Sequence, residues 1–277
     1  MRCWIVIPLL FAQVIASPRS ASADGLQGFT WQTTVRSATA YSRATTPVRA
    51  GIMSQRFEIK SGDCGHDPKE PSYSDCNMDR ERVELVSKQG GRMGSEHWWA
   101  FSIFIPHDFV DVSPVRTVLA QVGQIGVPVV VADGKISKPP LLQFNIFHDS
   151  YLMTYHELIG LPRHAVEVSR DIPLAHLDEM RGRWTDVMLH VRFGDGDGFA
   201  RVYVNGHEKG SIRRGLVRWP VTRFPLKYGI YRPFVSQYEQ QYHKPMPTQV
   251  IYFDEIREGR TRAAVDLSSA EPPAPID

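Results

Sequence analysis

His190, Arg192, Arg201 and Tyr203 stand at alternate positions along the segment Arg183–Gly206, which reads R-W-T-D-V-M-L-H-V-R-F-G-D-G-D-G-F-A-R-V-Y-V-N-G. An imidazole, two guanidinium groups and a phenol on one surface can move a proton and bind an anion. A second set lies at 80–88, where Arg82 and Glu84 occupy one face of R-E-R-V-E-L-V-S-K. Such a pair is either a simple cross-face ion pair or an arginine steadied by its carboxylate to grip a ligand anion with two N–H groups. Gln143 and Asn145 share a face in L-L-Q-F-N-I-F-H.

Cys64 and Cys76 close the loop C-G-H-D-P-K-E-P-S-Y-S-D-C. Two cysteines in a chain bound for an oxidising compartment predict a disulfide. His66, Asp67 and Asp75 lie within the loop, but without a second thiol pair a metal site is the poorer reading. Asp195 and Asp197 in G-D-G-D-G have the spacing of a calcium loop without its downstream glutamate, so a turn is the better reading. No cofactor is expected; a structural calcium is not indicated.

These groups must be held by strands. In the 183–206 segment Val187, Leu189, Val191 and Phe193 alternate with Met188, His190 and Arg192, and Val202 and Val204 alternate with Arg201 and Tyr203. A period of two predicts one packed and one polar face, and the glycines between the arms supply the positive φ of a hairpin. Whether the polar face meets a ligand or only solvent stays open. Further strands are expected at 55–60, 80–88, 98–106, 115–124, 141–148, 151–158, 226–232 and 249–259. Trp98–Pro106 is almost continuously apolar and reads as a central strand; Trp98, Trp99 and Trp184 read as core. Pro173–Arg183 is the best helical candidate, ended by Gly182. Ten to twelve short strands with no β-α-β alternation predict an all-β, two-sheet sandwich of jelly-roll type.

Residues 1–23 read as a signal peptide: Arg2, an apolar run from Trp4 to Ile15, and the small-residue exit Ala21-Ser22-Ala23. The run is too short to span a membrane as a helix. A secreted or periplasmic, monomeric protein is therefore expected, with one domain over 24–260 and a disordered tail over 261–277. Removing the leader takes away Arg2 and Arg19 and leaves basic and acidic residues in equal number. Net charge then gives no reason to expect nucleic acid or a membrane surface as partner, and an acidic ligand must be met by a local cluster.

Several phrases, taken together and in order, resemble polysaccharide lyases of the heparin lyase I and glucuronan lyase type. They are R-V-E-L (82–85), F-S-I-F-I-P-H-D-F (101–109), V-L-A-Q-V-G-Q (118–124), K-P-P-L-L (138–142), the hairpin from W-T-D-V to V-N-G, K-Y-G-I-Y-R (227–232) and Y-F-D-E-I-R-E-G (252–259). The resemblance implies a concanavalin-like β-jelly roll with a substrate groove across a concave sheet. It also implies β-elimination on an acidic, uronate-containing polysaccharide. Residue by residue it implies a catalytic tyrosine at Tyr231, a substrate-gripping lysine at Lys227, an anion contact at Arg82 and a neutralising amide at Gln121. Glu84, Arg192 and Gln143 join these as candidate substrate contacts. The family's Q-x-H phrase has a histidine where this chain has Gly123. Three outcomes follow: Tyr231 is both base and acid, another histidine such as His190 or His148 has taken over, or the chain binds acidic glycan without cutting it. A glycoside hydrolase on the same sandwich ranks last, because it needs two carboxylates and only Glu84 can be placed.

Overall fold

The computed structural model describes residues 28–34, 37–67, 70–126, 130–132, 135–137, 139–160, 166–213, 215–217 and 221–269. The expected leader, 1–23, lies outside them. In chain order the strands are β1 (Phe29–Trp31), β2 (Tyr41–Ala44), β3 (Ser54–Ile59), β4 (His66–Asp67), β5 (Glu70–Ser74), β6 (Arg80–Ser87), β7 (Glu96–Phe104), β8 (Thr117–Val122) and β9 (Val130–Ala132). They continue with β10 (Lys135–Ser137), β11 (Leu142–Phe147), β12 (Ser150–Ile159), β13 (Val166–His176), β14 (Trp184–Arg192), β15 (Phe199–Val204), β16 (His207–Ile212), β17 (Leu226–Pro233) and β18 (Gln249–Gly259). Two short helices, α1 (Leu177–Met180) and α2 (Ser236–Tyr242), interrupt the series.

Two seven-stranded sheets carry the fold. The first has the order β1-β6-β17-β8-β11-β12-β13 and the second β16-β15-β14-β7-β18-β3-β2. The two sheets make a sandwich of jelly-roll type, as the strand pattern predicted. Its core is built from the inward faces of both. Val83 and Leu85, Phe144, Met153 and Ile230 come from the first; Phe57, Phe101, Ile103, Val187, Leu189 and Phe253 come from the second. Aromatic pairs cross between them: Phe101 with Phe144 at 5.8 Å between ring centroids, and Tyr228 with Phe253 at 5.2 Å. The near-continuous apolar run predicted to be central is β7, which lies between β14 and β18 and is buried at every residue after Glu96. Trp98, Trp99 and Trp184 are buried, as expected of core residues.

The chain switches sheets between β6 and β7 and again between β7 and β8. Strands remote in sequence therefore become neighbours. In the first sheet β17 lies between β6 and β8, and β8 lies against β11, which brings residues near 82, 121, 143 and 231 side by side.

Three local expectations are corrected. The helix predicted over Pro173–Arg183 shrinks to α1, because β13 runs on to His176. Pro173 is tolerated there because β13 is an edge strand and a bulge interrupts its pairing with β12. The third strand of the β14–β15–β16 meander and helix α2 were not foreseen. The tail expected to be structureless from 261 makes two 3-10 turns through Ser269 and buries Val265 and Leu267 against Trp98, Ala100 and Met188. Residues 270–277 lie outside the described residues.

Candidate active site

Strand β6 turns Val83 and Leu85 into the core and leaves Arg82 and Glu84 on the other face of the first sheet. Both are nonetheless buried, with relative exposures of 6% and 2%. A buried guanidinium must have its donors satisfied. Arg82 Nε and Nη2 donate to the two oxygens of Asp75 at 2.9 and 3.1 Å, and Nη1 donates to Glu84 Oε2 at 2.8 Å. The other oxygen of Glu84 accepts from Gln121 Nε2. Tyr73 donates its hydroxyl proton to Asp75 at 3.1 Å and accepts from Arg80 at 2.9 Å. The guanidinium carbon of Arg82 sits 4.0 Å from the centroid of the Tyr231 ring. Arg82 and Glu84 thus form the ion pair that the sequence left as one alternative, but buried rather than exposed, and extended by Asp75 and Gln121.

Strand β17 supplies Lys227 and Tyr231. Tyr228 and Ile230 face the core, so Lys227 and Tyr231 face away from it, as alternation requires. Gly229 between them has φ 136° and lies at a break in the β17–β8 register, between Tyr228 and Tyr231. A side chain there would meet the carbonyl oxygen of Val83 at 2.2 Å. Such a bulge re-aims the residues that follow it. In register, Tyr231 lies opposite Arg82, and Lys227 lies opposite Gln121, which lies opposite Gln143. Burial raises the pKa of the Tyr231 phenol, and the Arg82 and Arg80 cations oppose the rise. Burial lowers the pKa of the Lys227 amine; Glu84 and Asp75 pull it up and Arg82 pushes it down. Among the described residues neither the phenol of Tyr231 nor the amine of Lys227 has a hydrogen-bond partner.

The polar face continues across β11, β12 and β13. Gln143 meets His156 Nε2 at 3.0 Å, and His156 Nδ1 meets Glu167 at 2.7 Å. Asn145 donates to Thr154 at 2.9 Å, and Thr154 donates to Asp171 at 2.6 Å. Arg116 donates to Asn145 at 2.8 Å and to Asp171 at 2.7 Å, with its guanidinium 4.1 Å over Phe147. His156, Tyr73 and Arg116 were not singled out from the sequence, and Asp75 only as a conceivable metal ligand. The alternation of Thr154 and His156 with core residues Met153 and Tyr155 was the available signal for the histidine.

Three candidates fall elsewhere. His190 and Arg192 belong to β14 in the second sheet, so they do not share a face with Gln121 and Tyr231. The His190 ring is stacked on Trp98 at 3.8 Å between centroids, and its Nε2 meets Glu96 at 3.2 Å. Arg192 Nε donates to Asp197 at 2.8 Å. Alternation along β14 was read correctly; what it cannot encode is which of two sheets the strand joins. His148 lies in the β11–β12 turn with φ 48°, not on the polar face.

Cys64 and Cys76 are bonded, with Cα atoms 5.1 Å apart. The bond closes the segment carrying β4, β5 and Asp75, and so holds Asp75 against Arg82. Among the described residues no group of three or more His, Cys, Asp or Glu side chains is placed to hold a metal ion. No helix among them is long and apolar enough to cross a membrane.

Residues 23–257 match the family model described as "Polysaccharide lyase". Among solved structures, an endo-β-1,4-glucuronan lyase from the fungus Trichoderma reesei superposes with a TM-score of 0.64 at 18% identity, over 87% of this chain and 99% of that one. An alginate lyase of polysaccharide lyase family 7 superposes with a TM-score of 0.52 at 14% identity, over 85% and 96% of the two chains. A second family-7 alginate lyase gives 0.50 at 12% identity, over 85% and 95%. At these identities the likeness is one of fold. No curated protein matches the chain.

Proposed function

Because this chain belongs to the polysaccharide lyase family, we propose that it cleaves an acidic, uronate-containing polysaccharide by β-elimination, with Tyr231 delivering the proton to the leaving oxygen. Elimination removes the proton next to the uronate carboxylate and expels the glycosidic oxygen at the adjacent carbon. It needs a group to stabilise charge on the carboxylate, a base and an acid. The observation that carries the reading is the gathering of Tyr231, Gln121 and Lys227 on one face of the first sheet, over the buried Arg82–Asp75–Glu84 cluster.

Tyr231 suits the acid. Burial keeps its phenol protonated, and Arg82 4.0 Å from the ring stabilises the phenolate left when the proton departs. Gln121 has one amide hydrogen committed to Glu84 and a second free to meet a carboxylate oxygen. Arg82 holds this arrangement rather than the substrate, since its fork is taken up by Asp75 and Glu84. Glu84 likewise has both oxygens occupied, which removes the one carboxylate a hydrolytic mechanism had. Gln143 and His156 extend the same face and suit hydroxyl contacts to neighbouring sugars. We further propose an exported monomer whose leader ends at Ala23, a reading that N-terminal sequencing and sedimentation of the exported protein check.

The test is turnover of glucuronan, alginate, heparin and hyaluronan by the purified protein, read as the near-ultraviolet absorbance of an unsaturated uronate. Tyr231→Phe should remove that signal while leaving the melting temperature and glycan binding in place. Saturable binding of these glycans with no absorbance from any of them would refute the proposal.

A further inference from the structure

The site has an acid in Tyr231 but no histidine at the position where the resemblance expects one. Three of the described histidines do not fill the gap: His190 is in the second sheet, His148 is in a turn, and both nitrogens of His156 are engaged by Gln143 and Glu167. His66, on β4 next to the Asp67 whose charge acts on Lys227, is the competing histidine that the test below addresses. What stands beside the glycine is a lysine arm. A Cβ placed on Gly123 would come 3.1 Å from Lys227 Cε and 3.4 Å from Pro225 Cγ. The same residue is tied by its backbone N–H to the Pro225 carbonyl at 2.9 Å, so the two segments cannot simply part. Any side chain at 123 therefore displaces the end of Lys227.

We propose that Lys227 is the base of the elimination, and that the absence of a side chain at Gly123 is what gives its amine room to reach the substrate. The assignment rests on the lyase reading above. Lys227 is on the Tyr231 face of β17 and opposite Gln121, so an amine, an amide and a phenol address one sugar. The amine has no hydrogen-bond or ion-pair partner among the described residues. Charged groups around it are Glu84 and Arg82 from β6, Asp75 from the turn after β5 and Asp67 from β4. Two of these, Arg82 and Asp75, also act on Tyr231, which places both side chains beside the same ion pair. Burial outweighs these charges and lowers the amine's pKa, enlarging the neutral fraction that has a lone pair to offer.

The step balances within the site. The neutral amine takes the proton from C5 of the uronate, and the C5–H electron pair becomes the C4–C5 double bond. The C4–O bond breaks, and the departing oxygen takes the phenol proton of Tyr231. The ammonium of Lys227 then returns a proton through solvent to the phenolate, restoring both groups.

Lys227→Arg is the decisive variant, because a guanidinium keeps the charge and most of the length but does not give up its proton at working pH. As a base, Lys227 predicts that kcat of this variant falls by about 10²–10⁴-fold, the usual contribution of general base catalysis, with KM changed only a few-fold. Lys227→Ala should lose as much and regain part of it with added methylamine, more so as pH rises. In the wild type, kcat/KM should rise with pH through a limb that Lys227→Ala lacks. Gly123→Ala should lower kcat by about a few-fold without unfolding the protein, since the added Cβ pushes Lys227 aside by only a fraction of the about 1 Å misplacement that costs up to 10²-fold. A Lys227→Arg enzyme with near-wild-type kcat would overturn the assignment and leave Lys227 as a charge that grips the polymer. So would abolition of turnover by His66→Ala together with absence of amine rescue in Lys227→Ala. If the wild-type protein yields no unsaturated product from any uronate polymer, the lyase reading itself fails, and this assignment with it.

Discussion

Removing the charge of Arg82 should cost the protein stability before it costs it substrate affinity. The resemblance implies an anion contact at this arginine; its hydrogen bonds to Asp75 and Glu84 favour a strut. It is 6% exposed and its donors go to Asp75, itself fully buried, and to Glu84 at 2% exposure. Arg82→Met keeps the aliphatic bulk and leaves two buried carboxylates facing a void of positive charge. Breaking a buried pair by removing one partner costs about 3–5 kcal/mol. For a domain of this size, 1 kcal/mol moves the melting temperature by about 2–4 °C, so the variant should melt about 6–20 °C lower. The measurement is thermal unfolding by circular dichroism at neutral pH, with Michaelis kinetics taken well below both melting points. The double variant Arg82→Met/Glu84→Gln should recover part of the loss, because it removes one of the stranded charges. kcat should also fall, since the phenol of Tyr231 loses the cation 4.0 Å from its ring. A melting temperature within about 2 °C of wild type, less than about 1 kcal/mol, combined with a raised KM, would show that Arg82 meets the substrate and that the strut is misread.

Other changes have equally definite outcomes. Glu58 in β3 has a carboxyl held at about 2 although burial alone would raise it, because hydrogen bonds from Arg56, Thr39 and Lys60 win. Its folded pKa is below its unfolded value, so the stabilisation is full above about pH 4.5 and is lost as pH falls toward 2; Glu58→Gln should flatten that part of an acid melting curve. Serine at both Cys64 and Cys76 should cost about 3 kcal/mol from loop entropy and lower kcat/KM as Asp75 loses its tether; equal melting with and without reductant would refute this. His190→Ala, in the second sheet, should leave kcat/KM within about twofold of wild type, as for a residue outside the site; a large loss of turnover would put the catalytic face on the wrong sheet.

Faces were legible in the sequence; partners were not. The alternation of Val83 and Leu85 with Arg82 and Glu84, and of Tyr228 and Ile230 with Lys227 and Tyr231, fixes which side chains leave the core, and the structure agrees at each. The same alternation in β14 puts His190 and Arg192 on a polar face just as surely. Period-two patterning says nothing about which sheet a strand enters, because that depends on pairings between segments far apart in the chain. Asp75 was hidden for a related reason. It sits after β5 in a disulfide-closed loop, where no periodicity assigns it a face, and only the folded chain brings it to Arg82. Pro173 misled in the opposite direction: it read as a helix start, and the edge position that lets a strand carry it is a property of the sheet.

The two outer faces of the sandwich are managed in different ways, and the contrast locates the chemistry. On the second sheet Trp98, Met188 and Ala100 are covered by Val265 and Leu267 from the last described turns, and the buried polar residues Ser102 and Asp254 are tied to Asp186 and to Arg49, which are themselves paired. On the first sheet Arg82, Glu84, Gln121, Gln143, Asn145 and Thr154 are buried although all are polar. Apolar residues of like volume would be no less stable there, since buried ion pairs at best recover their desolvation cost. Retaining such a face calls for a reason outside folding. Two clusters satisfy most of these groups: Arg82 with Asp75, Glu84 and Gln121, and Arg116 with Asn145, Thr154 and Asp171. Among the described residues the groups left open on this face include the phenol of Tyr231, the amine of Lys227 and one hydrogen of Gln121. On the reading proposed above, these three supply the proton donor, the proton acceptor and the amide N–H that an elimination next to a carboxylate requires.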